Sequence, residues 1–202
     1  MLLALALFAC TTETPEPPAP QAKAEPAPAP KAVELKVADG QIQLVQLKNG
    51  TAEVPAHFET PKGTFKADGT GTFEIDLSSW ASELELRDTR VRETFFHASE
   101  HATATFTVAS AQGFDTGIAV GESSTGSLKG ELSLYAGKTD VEIPVVLTHK
   151  DEGTFSLASD QTFQVSIESL GLNENLQALM VECAHESIGD AVDVSFDLTL
   201  KR

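Results

Sequence analysis

The chain is short of the residues that covalent stapling and phosphate chemistry require. Its 202 residues include two cysteines, Cys10 and Cys183, in such different settings that no disulfide between them is expected and no redox pair is evident. Basic residues are scarce: 14 Lys and Arg stand against 30 Asp and Glu, a formal net charge of −16. Phosphate backbones and anionic bilayer surfaces repel such a chain, so no nucleic acid is expected as a partner. Hydrophobic runs are short, and none approaches the roughly 20 residues that a membrane-crossing helix needs. G-x-S-x-G, phosphate-loop and paired-carboxylate patterns are all missing, so neither an enzyme nor a cofactor is expected.

What is present begins with an apolar stretch, Met1 to Ala9, which reads as the hydrophobic region of a signal peptide. The following Leu7-Phe8-Ala9-Cys10 resembles the lipobox of bacterial lipoproteins. That resemblance implies export, cleavage before Cys10 and lipidation of Cys10. Thr11 is not the aspartate associated with inner-membrane retention, so an outer-membrane anchor facing the periplasm is expected. From Thr11 to Lys31 the chain is almost entirely Pro, Ala, Glu, Thr, Gln and Lys, with seven of its ten prolines. Such a tract favours extended geometry at about 3.1 Å per residue and forms a stalk reaching roughly 60 Å. The expected organisation is a signal peptide over 1–9, a lipidated cysteine and Pro/Ala-rich linker over 10–32, and one folded domain over 33–202.

In that domain the hydrophobic period is two, the mark of strands with one buried face. Ile42 and Leu44 precede Asn49-Gly50, a hairpin signal, with Val54, Ala56 and Phe58 on the return. Asp68-Gly69 does the same between Phe65 and the alternating Phe73, Ile75 and Leu77. Phe106 and Val108 follow, then Leu128 to Leu134, Ile143 to Leu147, Phe155 and Leu157, Phe163 to Ile167, and Val192 to Leu200. About eight strands separated by glycine-bearing turns point to an all-β fold, an antiparallel barrel whose last strand pairs with an early one and so leaves no exposed edge. Asn173 to Glu186 interrupts the pattern as a short helical insertion, near residues 173–185, with Asn173 as its cap and Leu176, Leu179 and Met180 on one face.

Ile75-Asp76-Leu77-Ser78-Ser79, Arg87-Asp88, Val91-Arg92, Phe95-Phe96 and Thr103-Ala104-Thr105-Phe106 together resemble the first signature of the YceI-like family. Gly130-Glu131-Leu132-Ser133-Leu134 with Val141-Glu142-Ile143-Pro144-Val145 is similar to its second, and Ala191-Val192-Asp193-Val194 to its closing strand. The resemblance spans about residues 40 to 202 and implies an eight-stranded lipocalin-like barrel. It also implies a ligand, an isoprenoid or similar amphiphilic lipid held inside.

The inward-facing candidates for such a pocket are Phe65, Phe73, Ile75, Phe106, Val108, Leu134, Val145, Phe163, Val165 and Ile167, with Trp80, Phe95 and Phe96 near a mouth. Alternation alone does not distinguish a hollow barrel from a filled one. A filled-barrel interaction module on a stalk is therefore the alternative, and a homodimer is left open. Arg87, Asp88 and Arg92, with Arg90 and Glu93 beside them, read either as a polar collar meeting a ligand head or as structural ion pairs at a barrel corner. The structural role is favoured, because close partners spare an arginine the cost of unpaired burial. His97 and His101 are spaced like a metal pair but lack a third ligand, so no metal is expected. Cys183 and His185 lack a triad partner and read as an inert thiol and its neighbour.

Overall fold

The computed structural model describes residues 34–113 and 115–202. The signal peptide, Cys10 and the Pro/Ala-rich linker lie outside the described residues. Among the described residues ten strands form one antiparallel sheet: β1 (Glu34–Lys48), β2 (Ala52–Phe58), β3 (Lys62–Lys66), β4 (Gly71–Asp76), β5 (Thr103–Gln112), β6 (Ser123–Ser133), β7 (Lys138–Asp151), β8 (Thr154–Ser159), β9 (Phe163–Ser166) and β10 (Ile188–Lys201). Pairing of β1 with β10 closes the sheet on itself.

Ten strands make eight barrel staves, because two staves are each broken once. β1 pairs with β3 through Glu34–Lys36 and with β2 through Ile42–Lys48, so β2 and β3 are successive pieces of one stave. The break falls at residues 59–61, beside the bend of β1 at Gly40. Gly40 has φ +134°, and a Cβ there would collide with the Asp197 carbonyl, so only glycine fits. The Thr60 hydroxyl donates to the Gly40 carbonyl at 2.9 Å and closes the gap. In the same way β8 and β9 share the edge of β10. Asp160 N–H bridges that interruption by donating to the Pro144 carbonyl at 2.9 Å.

Turn chemistry fixes the register. Asn49 and Gly50 have φ of 50° and 77°, the paired positive angles of a tight hairpin, and Gly69 has φ 83° in the next. Pro55 lies in β2, which pairs only with β1 in the sheet, and there its missing N–H is tolerated.

The two ends of the barrel differ. At the end carrying the β3–β4 and β7–β8 turns, Phe65, Val145, Leu147, Phe155, Leu157 and Leu200 are all but inaccessible and fill the interior. At the other end the wall splays. There β9 pairs with β10 but not with β7, and β2 is joined beyond β1 only by a bridge from His57 to Ala81.

Two excursions cover that end. The first leaves β4, makes a 3-10 turn at Leu77–Ser79 and runs into α1 (Glu85–Arg90), which continues as a π-helical turn over Val91–Phe95. Leu77 N–H donates to the Ala102 carbonyl at 2.8 Å and ties its two feet together. The second is α2 (Asn173–Cys183), between β9 and β10. Leu176 and Leu179 face inward as expected, but Asn173 is the first helical residue and makes no side-chain cap; Leu172 occupies the cap position. The α1 and π-helical segment is an addition to the expected corner, since charged residues at Arg87 to Glu93 obscure its apolar face.

Candidate functional site

The hydrophobic residues sort into a packed base and a helical cap, and a cavity of about 160 Å³ lies between them. Every lining side chain is apolar, including Phe58 and Leu44 from the wall and Phe73, Phe106, Leu132 and Val194 from the strands. A dry apolar cavity of about 150 Å³ accepts a benzene ring. This one therefore has room for a short stretch of apolar chain. On one flank, half-buried Val141 of β7 and Phe163 and Val165 of β9 line it where the two strands do not pair.

Phe95 and Phe96 form the ceiling. Adjacent residues of a regular helix point about 100° apart, and two consecutive phenylalanines would not both turn inward. The π-helical turn solves this: Phe96 N–H donates to the Val91 carbonyl five residues back, at 2.9 Å, and brings Val91, Phe95 and Phe96 to one buried face. Their rings meet edge to face at 4.8 Å, and Phe96 also leans on Phe58 at 5.7 Å. Asn175 of α2 donates to the Phe95 carbonyl at 2.8 Å and to the Tyr135 hydroxyl at 2.6 Å, which fixes the ceiling to α2.

Above the ceiling is a second cavity of about 110 Å³, between the ends of β1, β2 and β10 and the helical segments. Leu44, Phe95, Phe96, Ile167 and Val192 line both, so one side-chain layer separates them. The second cavity is also largely apolar. Trp80, Val91, Leu176 and Leu179 are joined there by Gln46, Lys48, Arg87, Cys183 and His185.

Of the expected pocket residues, Phe73, Ile75, Phe95, Phe96, Phe106, Leu134, Phe163, Val165 and Ile167 line the first cavity, and Trp80 lines the second. Phe65, Val108 and Val145 do not. They face inward but sit at the packed base, where side chains from opposite staves interdigitate. The lining residues that went unnamed as pocket candidates are led by Ile42, Leu44, Phe58 and Leu132. Their alternation was visible in the sequence, but their height along the barrel was not.

The corner residues, read either as a polar collar or, by preference, as structural ion pairs, do not gather at one place. Arg87 borders the second cavity, and its Nη1 donates to the Ser82 hydroxyl at 3.3 Å. Asp88 is only 4% exposed. It accepts from Ser82 N–H at 3.0 Å and from the Ser82 hydroxyl at 2.5 Å, which meets the requirement that a buried charge be hydrogen-bonded. Arg92 lines neither cavity and pairs with Glu85 at 2.8 Å. Arg90 instead joins α1 to α2 through Glu182 at 3.3 Å and the Cys183 sulfur at 3.7 Å. Glu93 is exposed.

His101 stacks on Tyr135 with centroids 4.1 Å apart, and His97 meets the same ring edge-on at 5.9 Å. Among the described residues no group of three His, Cys, Asp or Glu is placed to hold a metal ion. Cys183 and His185 both reach the second cavity. Burial first, then the charges of Lys48, Arg87 and Arg90, hold the His185 imidazole below its ordinary range.

Known proteins share this architecture. A family model for the YceI-like domain matches residues 34–200. A polyisoprenoid binding domain from Saccharophagus degradans, implicated in plant cell wall breakdown, superposes with a TM-score of 0.75 at 19% identity, covering 85% of this chain and 99% of its own. BcnA of Burkholderia cenocepacia follows at 0.60 and 15% identity, covering 79% and 95% of the two chains. The Campylobacter jejuni YCEI protein reaches 0.57 at 13% identity, covering 75% and 86%. No curated protein matches.

Proposed function

Because the chain belongs to the YceI-like family, we propose that it binds an isoprenoid or similar amphiphilic lipid, with the apolar chain in the cavity beneath Phe95 and Phe96. The observation that carries this reading is the wholly apolar lining of a void left between a packed base and a helical cap. Buried polar groups would bring water into such a space, whereas an all-apolar wall rewards a hydrocarbon with about 0.8 kcal/mol per CH₂ taken from water. The polyisoprenoid-binding domain with the same fold supports the choice of ligand class. A filled barrel accounts for the base but leaves the cavity without a role.

The lipobox-like Leu7-Phe8-Ala9-Cys10 and the Pro-rich tract after it support an exported protein, anchored through lipidated Cys10 to the outer membrane and facing the periplasm. In that arrangement the stalk holds a soluble carrier within reach of membrane lipid. Binding needs no catalytic group, and none is assigned. Organic extraction of the purified protein followed by mass spectrometry tests the ligand. An isoprenoid-like or other long-chain lipid in the extract supports the reading; an extract with no lipid, from a protein that also takes up none, contradicts it. Metabolic labelling with a fatty acid, lost in Cys10→Ala, tests the anchor.

A further inference from the structure

The barrel wall is not laced between β7 and β9, and the sequence explains why. β7 pairs with β8 from Val145 to Asp151, and Pro144 stands next in line. The Pro144 carbonyl accepts from Asp160 N–H at 2.9 Å, so this residue turns its backbone toward the stave made of β8 and β9. Proline has no N–H to return to Asp160, and the ladder stops there for want of a donor. From Pro144 back to Lys138, β7 is paired on its β6 side alone, while β9 is paired with β10 alone.

The resulting seam is pinned at both ends. One pin is the Asp160–Pro144 bond. At the other, the β6–β7 turn meets the segment after β9 backbone to backbone: a Cβ on Gly137 would lie 2.9 Å from the Leu170 carbonyl oxygen, and one on Gly171 2.7 Å from that of Ala136. Between the pins the inward side chains are Val141 and Ile143 of β7 and Phe163 and Val165 of β9, and all four line the apolar cavity. Ile143 is buried and the other three are half-buried, and no described strand covers the gap between the two edges. Asp140, Glu142 and Gln164 are exposed and border it outside.

We infer that this seam is a side port through which a hydrocarbon chain enters and leaves the cavity. The inference rests on the lipid-binding reading above and adds a route to it. Other routes break more bonds. At the capped end Asn175 to Phe95, Thr94 to Glu182 and Arg90 to Glu182 hold the ceiling shut, and at the base the interior is filled by all but inaccessible side chains. Parting two laced staves leaves ladder N–H and C=O groups unpaired. Spreading β7 from β9 between the pins breaks no ladder bond, since the two strands share none. Size argues for the same place: a cavity of about 160 Å³ holds a short stretch of chain, so a longer chain leaves the barrel somewhere. An apolar-edged seam is where its CH₂ groups give up least contact with hydrocarbon.

The test fastens the seam. On a Cys10→Ser, Cys183→Ser background, Asp140→Cys and Gln164→Cys put thiols on its two exposed rims, and a bis-methanethiosulfonate joins them through reducible disulfides. Stopped-flow fluorescence follows uptake of cis-parinaric acid, a slender chain that fluoresces out of water, by the delipidated full chain, and its release to excess farnesol. The joined protein is expected to take up and release the probe roughly tenfold more slowly at unchanged equilibrium affinity, because a closed doorway alters rates and not end states. Reductant should restore the parent rates. Lys138→Cys with Ser166→Cys replaces the first pair if that pair does not fold. Exchange at the parent rate with the seam joined overturns the inference and leaves lipid binding intact. Faster uptake in Asn175→Ala, which loosens the ceiling, would put the entrance at the capped end and overturn it as well. A parent protein that takes up neither cis-parinaric acid nor radiolabelled farnesol contradicts lipid binding and the port with it.

Discussion

Phe96 and Arg90 are six residues apart and separate what holds the site from what decorates it. Phe96 is 8% exposed and touches both cavities. Truncation to alanine should cost about 3 kcal/mol, at the low end for a buried aromatic, because the voids on either side already deprive its ring of contacts. Chemical denaturation measures the loss, and a Phe96→Ala protein with the parent's midpoint would show the ceiling to be placed wrongly. Arg90→Ala removes one ion pair whose side chains are 31% and 40% exposed, and should shift stability by less than about 1 kcal/mol. His185 gives a pH signature. Its folded pKa lies below the unfolded value of about 6.5, because of burial first and then of Lys48, Arg87 and Arg90. The unfolded chain therefore takes up the proton first as pH falls. Stability from the neutral imidazole is complete above about 6.5 and is lost as pH drops through the folded value. The parent should lose denaturant midpoint relative to His185→Gln over that interval, and parallel pH profiles would contradict the burial of His185 beside Lys48 and Arg87.

Among the elements, α2 and the π-helical turn act as one cap because their connections are specific. Asn175 holds the Phe95 carbonyl, and the Glu182 carboxylate accepts from the Thr94 hydroxyl at 2.6 Å while pairing with Arg90. Helix α2 ends at Ala184, in the left-handed conformation with φ 52°. A non-glycine residue is strained there, so Ala184→Gly should raise stability by about 0.5–1 kcal/mol. An unchanged or lowered thermal midpoint would contradict that cap geometry. Helix α2 was legible in the sequence because Leu176 and Leu179 recur at helical spacing in an otherwise period-two chain. The π-helical turn was not. Two adjacent phenylalanines have no helical reading unless the ladder shifts by one residue, and that shift depends on what Val91, Phe95 and Phe96 pack against. The breaks at residues 59–61 and 160–162 escaped for a related reason: each half-stave alternates correctly by itself, and only pairing with the long strands β1 and β10 shows that two pieces form one stave.

At the scale of the whole molecule, alternation and turn residues were enough for a closed eight-stave barrel, and the YceI-like signatures pointed to the same fold. They could not reveal that one interior is divided into a packed base, an apolar chamber and a second cavity beneath the helical segments. That division depends on height along the barrel, which separates Phe65, Val108 and Val145 from Phe73 and Phe106 although all five face inward. No described helix is long and apolar enough to cross a membrane. The central claim is that the apolar chamber is occupied by lipid, and native mass spectrometry of the gently purified full chain tests it most directly. The predicted spectrum shows one long-chain lipid per barrel, as expected for a closed eight-stranded sheet. That lipid should be removed by organic extraction and restored when lipid is added back. A spectrum of the bare chain alone, unchanged after incubation with long-chain lipid, would contradict the claim.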